Sequence, residues 1–157
     1  MKSSQIRFAL KVAHAAADES RARRLQVGAV IVADGRIIRD GWNGMPAGMD
    51  NNCEYNKVVG YKMVINQPLG NNPIFALKTK PEVTHAEMNA IGYAARSTGG
   101  CDGASLVVTH SPCYECAKLI IAAGIKEVYY EELYRDERPL EFLESANIKV
   151  ERITNET

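Results

Sequence analysis

The sequence has no surplus of charge of either sign and no long apolar run. Nineteen lysines and arginines balance nineteen aspartates and glutamates over 157 residues, so the formal net charge is zero. Because proteins that bind long polyanions usually carry a basic surplus, we expect no nucleic-acid polymer as a partner. No apolar run is long enough to cross a bilayer, and the polar first residues predict no signal peptide. These absences favour a cytoplasmic protein, in the host cytoplasm if the chain is viral.

Cysteine is also scarce, with four residues in the chain. Two of them, Cys113 and Cys116, are separated by only two residues. In a cytoplasmic protein this spacing favours reduced thiols and metal binding over disulfides. The length and the 46% hydrophobic content predict one domain over residues 1–157.

The apolar pattern predicts an α/β protein. Helical spacing is found over residues 4–19, and two β-rich segments flank the turn at Asp34-Gly35, which is typical of a hairpin. Residues 43–84 show no clear period and are predicted to be irregular. Beyond them helices at 85–97, 113–123 and 140–146 alternate with strands at 106–108, 127–130 and 148–150. Alternation of this kind predicts parallel strands, and the hairpin makes the sheet mixed.

Two short segments combine residues with metal chemistry. His85 and Glu87 open one predicted helix, and Cys113 and Cys116 open the next. One imidazole and two thiolates suit Zn²⁺ and leave the fourth tetrahedral position for water, as in catalytic sites. Glu87 would then move protons between that water and a substrate. The segments therefore predict a zinc-dependent hydrolytic enzyme.

Two other interpretations of these segments remain open. A structural zinc needs a fourth protein ligand. The remaining histidines and cysteines do not stand at ligand spacing to the pair, and they are His14, His110, Cys53 and Cys101. A redox dithiol would leave His85 and Glu87 unexplained.

The spacing H-x-E followed by P-C-x-x-C is the signature of zinc deaminases. Over residues 3–152 the chain resembles the deoxycytidylate (dCMP) deaminases of the cytidine deaminase-like superfamily, the phage and bacterial allosteric type. The segments that carry the resemblance are Val27–Val32, Gly41–Gly48, His85–Ile91, Cys113–Lys118 and Ala123–Ile125. The family typically has Tyr where this chain has Trp42. The resemblance implies a three-layer α/β/α cytidine deaminase-like fold with a mixed five-stranded central sheet.

The resemblance also implies roles for individual residues. His85, Cys113 and Cys116 resemble the zinc ligands, with one catalytic Zn²⁺ per subunit, and Glu87 resembles the proton shuttle. The reaction implied is hydrolytic deamination of dCMP to dUMP and ammonia, which supplies thymidylate synthesis. The positions that resemble the substrate-binding groups are Arg24, Tyr134 and Arg135 for the 5′-phosphate, Asn43 for sugar and base, and Ala86, His110 and Ser111 for the base edge.

Regulation and assembly are further implications of the resemblance. Many members are homohexamers activated by dCTP and inhibited by dTTP, and Mg²⁺ would accompany a triphosphate effector. The positions that resemble the effector site are Asn43, Gly44, Gly48, Asp50, Tyr93 and Arg96. Two alternative functions stay open, namely deamination of a nucleoside, a base or a base in RNA, and nucleotide sensing without catalysis. Glu87 argues against a sensor, because a sensor does not need a proton carrier.

Overall fold

A computed structural model describes residues 1–62, 72–97 and 99–154 of the chain. The helices in this part are α1 (Ser3–Asp18), α2 (Ala86–Ala95), α3 (Tyr114–Ala122) and α4 (Arg138–Ser145). The strands are β1 (Gly28–Ala33), β2 (Arg36–Trp42), β3 (Glu54–Lys62), β4 (Asn72–Thr79), β5 (Ser105–His110), β6 (Glu127–Glu132) and β7 (Lys149–Arg152). In the described ranges no helix has both the length and the apolar character needed to cross a membrane.

Five strands form one sheet in the order β2-β1-β5-β6-β7. β1 pairs antiparallel with both β2 and β5, whereas β5, β6 and β7 run parallel to one another. Helices α3 and α4 provide the two crossovers between the parallel strands. The mixed five-stranded sheet predicted from the sequence is therefore confirmed.

Helices cover both faces of this sheet. On one face α1 packs through Ile6, Ala9 and Ala13 against alternate residues of the central strands, such as Val30 and Val107. On the other face α2, α3 and α4 bury a larger apolar cluster against the intervening residues of the same strands. Alternation of this kind in β1 and β5 sends successive side chains to opposite cores. The three-layer α/β/α architecture is confirmed.

The predicted irregular stretch over residues 43–84 is wrong in part. Strands β3 and β4 pair antiparallel as a separate two-stranded ribbon, with Glu54 opposite Thr79 at its root. Residues 63–71 of the stretch lie outside the described residues, as does Thr98 in the predicted end of α2. The ribbon escapes sequence reasoning because most of its described side chains are exposed, so no buried period of two marks it.

The remaining predicted elements agree with the structure within a few residues at each end. Helix α1 begins one residue earlier than predicted, at Ser3, and α4 begins two residues earlier, at Arg138. His85 and Cys113 act as N-cap residues and precede α2 and α3. The sequence predicted that these two residues open the helices. The structure places each of them one position before its helix, so their side chains lie where the helices begin.

Gly41 of β2 lets α2 approach the sheet closely. A Cβ at this position would lie 2.6 Å from the carbonyl oxygen of Ala86 and would also press on the amide nitrogen of Ala90. Both atoms belong to the helix backbone, so the overlap could be relieved only by displacing α2. The close packing of α2 on the sheet therefore depends on the absence of a side chain at position 41.

We expect Gly41→Ala to destabilise the protein by about 1–3 kcal/mol, the usual range for overpacking. The matched control is Gly92→Ala, because Gly92 is exposed in α2 and a Cβ there would meet nothing within 4 Å. That control should raise stability by about 0.4–1 kcal/mol, since alanine restricts the unfolded chain. Urea unfolding of both variants measures the difference. Equal stability of the two variants would mean that α2 does not rely on this close approach.

Candidate active site

A cavity of about 240 Å³ opens where β5 ends and where α2 and α3 begin. Most of the sequence-predicted zinc, catalytic and substrate residues lie on its wall. They are Arg24, Asn43, His85, Ala86, Glu87, His110, Ser111, Cys113 and Tyr134. These residues come from five distant parts of the chain and converge on one space, as expected for a binding site.

The imidazole and the two thiols form a compact cluster beside this cavity. The His85 Nδ1 atom lies 3.3 Å from the Cys116 Sγ atom and 3.5 Å from the Cys113 Sγ atom. All three ligand atoms lie within 4.8 Å of one another. Tetrahedral Zn²⁺ with its usual bond lengths would separate a nitrogen and a sulfur ligand by about 3.5 Å. The donor set and its spacing therefore fit zinc with three protein ligands.

The cluster carries an activated thiol. Hydrogen bonding with Cys116 and with His85 outweighs burial and lowers the pKa of Cys113 to about 3. The hydrogen bond with Cys113 in turn raises the pKa of His85, and it raises the pKa of Cys116 as well. A thiolate at Cys113 is the form that binds metal.

Glu87 lies in the first turn of α2 and is only 4% exposed. Burial is the largest influence on its side chain and raises the pKa of this carboxyl to about 7. A hydrogen bond from its own backbone N–H, the charge of His85 and a hydrogen bond with Cys116 lower this pKa but do not offset burial. A carboxyl with this pKa can both accept and donate a proton near neutral pH.

Asn43 serves the local structure in addition to lining the cavity. Its amide Nδ2 donates to the carbonyl of Leu25 at 2.9 Å. Its Oδ1 accepts from the backbone N–H of Val27 at 2.8 Å and from the Ser20 hydroxyl at 2.9 Å. The side chain therefore fixes the segment that leads from α1 into β1, a role that sequence reasoning did not predict.

The three residues predicted for phosphate lie in different positions. Arg24 and Tyr134 line the cavity, and the backbone N–H of Tyr134 donates to the Ser111 hydroxyl at 2.7 Å. Arg135 is exposed and is not among the lining residues. Its guanidinium stacks on the Tyr134 ring, 4.8 Å from the ring centroid, and its backbone has a φ of 64°. Such a left-handed conformation costs a residue other than glycine about 1–2 kcal/mol, so the surrounding loop holds Arg135 in place.

The predicted effector residues are divided between two elements. Gly44 and Gly48 lie in the loop after β2, where Gly44 bridges to Thr84 and Gly48 has a φ of 87°. Asp50 is exposed farther along the same loop. Tyr93 and Arg96 lie near the end of α2, with the guanidinium 5.4 Å from the ring centroid.

Two polar residues of the cavity lining have no counterpart among the predicted site residues. Glu54 and Thr79 face each other at the root of the ribbon, and both line the cavity. The sequence offered no signal for either, because the segments that contain them were predicted to be irregular. Only the pairing of β3 with β4 brings them to the site.

Comparison with known proteins agrees with the geometry. A family model described as "Cytidine and deoxycytidylate deaminase zinc-binding region" matches residues 3–132. The deoxycytidylate deaminase of Enterobacteria phage T4 is 36% identical, over 96% of this chain and 89% of the phage protein. The human deoxycytidylate deaminase is 38% identical, over 82% of this chain and 66% of the human one.

A solved structure supports the same assignment. The dCMP deaminase of cyanophage S-TIM5, in complex with dCMP and dUMP, superposes with a TM-score of 0.79 and 34% identity. The match covers 98% of this chain and 99% of the cyanophage chain. The resemblance predicted from the sequence is thus confirmed, and this chain belongs to the family of cytidine and deoxycytidylate deaminases that share the zinc-binding region.

Proposed function

We propose that this protein is a zinc-dependent enzyme that converts dCMP and water to dUMP and ammonia. The observation that carries the proposal is a three-ligand cluster beside the buried carboxyl of Glu87, in a cavity that Arg24 and Tyr134 also line. A metal site with a proton carrier suits hydrolysis, and cationic and hydroxyl groups in the same cavity suit a phosphate. The dCMP and dUMP bound to the cyanophage relative support this choice of substrate.

The metal would be held by His85, Cys113 and Cys116. Zn²⁺ at this position supplies Lewis acidity, which makes water acidic enough to be a nucleophile near neutral pH. Three protein ligands are the usual number in a catalytic zinc site, in which the metal would keep one position for water.

Glu87 would carry the protons of the reaction. As water adds to C4 of the cytosine ring, the carboxylate accepts a proton from the water and gives it to N3. It then takes the second proton from the added hydroxyl and passes it to the amino group. The C4–N bond breaks, ammonia leaves, and the ring becomes uracil. A pKa of about 7 allows the same carboxyl to act as base and then as acid.

The rest of the cavity would orient the nucleotide. Backbone groups of Ala86, His110 and Ser111 are next to the cluster in the chain and suit the base edge. Asn43 has one amide hydrogen beyond the bonds described above, and this hydrogen is available to the sugar. Arg24, Tyr134 and Arg135 would receive the 5′-phosphate, since guanidinium groups offer paired donors to phosphate oxygens.

The proposal extends to assembly and control. Residues 1–157 would form one domain, because α1 and the other helices pack on one sheet. The protein would act in the cytoplasm as a homohexamer that dCTP activates and dTTP inhibits, with Mg²⁺ on the triphosphate. The effector residues would be Asn43, Gly44, Gly48, Asp50, Tyr93 and Arg96. This part rests on the family resemblance.

The substitution Glu87→Gln tests the proton carrier. We expect kcat for dCMP to fall by about 10²–10⁴-fold, the usual contribution of general acid–base catalysis, because glutamine cannot carry a proton. Zinc content should stay at one ion per chain, since the ligands are intact. The matched control is Glu115→Gln, an exposed residue in the first turn of α3, which should leave both values unchanged. Loss of zinc from E87Q, or two zinc ions per chain, would contradict the assignment.

The substitution Arg135→Ala tests the phosphate contact. We expect KM for dCMP to rise about tenfold or more, as for the loss of a charged hydrogen bond, while turnover of deoxycytidine stays the same. Ultraviolet absorbance follows loss of the exocyclic amine for dCMP, CMP, deoxycytidine and cytosine. The control is Arg36→Ala, at the start of β2 and outside the cavity lining. Equal losses with dCMP and deoxycytidine would refute the contact, and a wild-type preference for deoxycytidine would refute the proposed substrate.

Effector binding is tested by thermal unfolding with nucleotides. We expect dCTP with Mg²⁺, and dTTP with Mg²⁺, each to raise the Tm, because a ligand that binds only the folded state stabilises it. Their effects on dCMP turnover should have opposite signs. Substitution Tyr93→Ala should weaken both responses without changing unregulated turnover. Unchanged Tm and activity with both triphosphates would refute the regulatory part alone.

A further inference from the structure

Glu54 is a buried charged group to which no role has yet been assigned. Its side chain is 1% exposed and lines the same cavity as the zinc cluster and Arg24. A buried carboxylate is costly unless hydrogen-bond donors compensate it. Its partners therefore indicate what its burial achieves.

Among the described residues, the hydrogen-bond donors to the Glu54 carboxylate belong to Arg23 and Arg24. Its Oε1 accepts the backbone N–H of Arg23 at 2.9 Å and that of Arg24 at 3.2 Å. Its Oε2 accepts the Nε–H of the Arg23 side chain at 3.4 Å. The carboxylate thus fixes the backbone at the position from which the Arg24 side chain extends.

Thr79 holds the other end of Arg24. Its hydroxyl oxygen accepts the Nη1–H of Arg24 at 2.9 Å. Thr79 is also the register partner of Glu54, so the two contacts come from opposite strands at the root of one ribbon. The root of the ribbon therefore holds both the backbone and the guanidinium of Arg24.

We propose that Glu54 and Thr79 are positioning residues that orient Arg24 to receive the 5′-phosphate of the nucleotide. This inference rests on the proposed function, because it assumes a substrate with a phosphate. Ordering a long side chain in advance removes part of the entropy cost that binding would otherwise carry. An ordered Arg24 would improve binding of the phosphate and would not touch the ring. We therefore expect loss of this order to raise KM for dCMP and to leave kcat nearly unchanged.

The substitution Thr79→Val tests the guanidinium contact with little change of shape. Thr79 is exposed, and valine suits a strand. We expect KM for dCMP to rise about three- to tenfold, with kcat within about twofold and kcat/KM for deoxycytidine unchanged, as for one hydrogen bond to a charged group. Thr79→Ser, which keeps the hydroxyl, should restore KM. The control Val58→Thr makes the reverse exchange on the same ribbon and should have no effect.

The substitution Glu54→Gln tests the backbone contact independently. Glutamine removes the negative charge that strengthens both backbone N–H bonds and sets an amide NH₂ against the Arg23 Nε–H. We therefore expect KM for dCMP to rise, again with deoxycytidine spared. Unchanged KM for dCMP in T79V, or equal losses with both substrates in T79V and E54Q, would overturn the inference while leaving the proposed function intact. Absence of dCMP turnover by wild-type protein with a full zinc content would overturn both.

Discussion

The active site depends on the convergence of two helix starts at the end of β5. The first turns of α2 and α3 begin beside the same space, and the positive end of each helix dipole favours negative charge there. His85 and Cys113 are the N-cap residues of these helices, and Cys116 lies one turn inside α3. The positions of the ligands therefore follow from how closely the helices pack on the sheet. Gly41 permits that approach for α2, and the small residues Ala86 and Ala90 form the helix surface at the contact.

Two buried carboxyls in one cavity illustrate how environment divides chemical roles. Glu54 accepts three N–H groups from Arg23 and Arg24, which compensates its charge and makes it a fixed structural acceptor. Glu87 is mainly affected by burial, and its pKa rises to about 7. Carboxyls whose environments differ in this way are suited to different tasks, one holding a partner in place and the other moving protons. In the proposed function the same residue type would supply positioning at one wall of the cavity and proton transfer at another.

The sequence predicted the parts of this protein that local patterns encode. The H-x-E and C-x-x-C spacings and the periodicity of α1 or β5 depend on neighbouring residues, so the helices, the sheet and the zinc cluster could be expected. The substrate-binding roles of Arg24 and Tyr134 were predicted from the family resemblance, because the proximity of these residues to the cluster depends on the fold. Glu54 and Thr79 could not be predicted, since they reach the site only through the register of β3 with β4. The structural role of Asn43 was hidden for a similar reason: its partners Ser20 and Leu25 lie about twenty residues away.

The contacts at the root of the ribbon account for its place in the fold. A two-stranded ribbon is marginally stable by itself, and this one leaves large apolar side chains such as Tyr61 and Phe75 exposed. Its root, however, is fixed by the bond from the Lys80 N–H to the Cys53 carbonyl at 2.9 Å and by burial of Cys53 beside Ala22. Glu54 follows Cys53, so its bonds to Arg23 and Arg24 join the same root to the segment after α1. Stability of the ribbon root and placement of Arg24 are therefore coupled through Glu54, while the Asn43 bonds to Ser20 and Leu25 hold the same 20–25 segment from the side of β2.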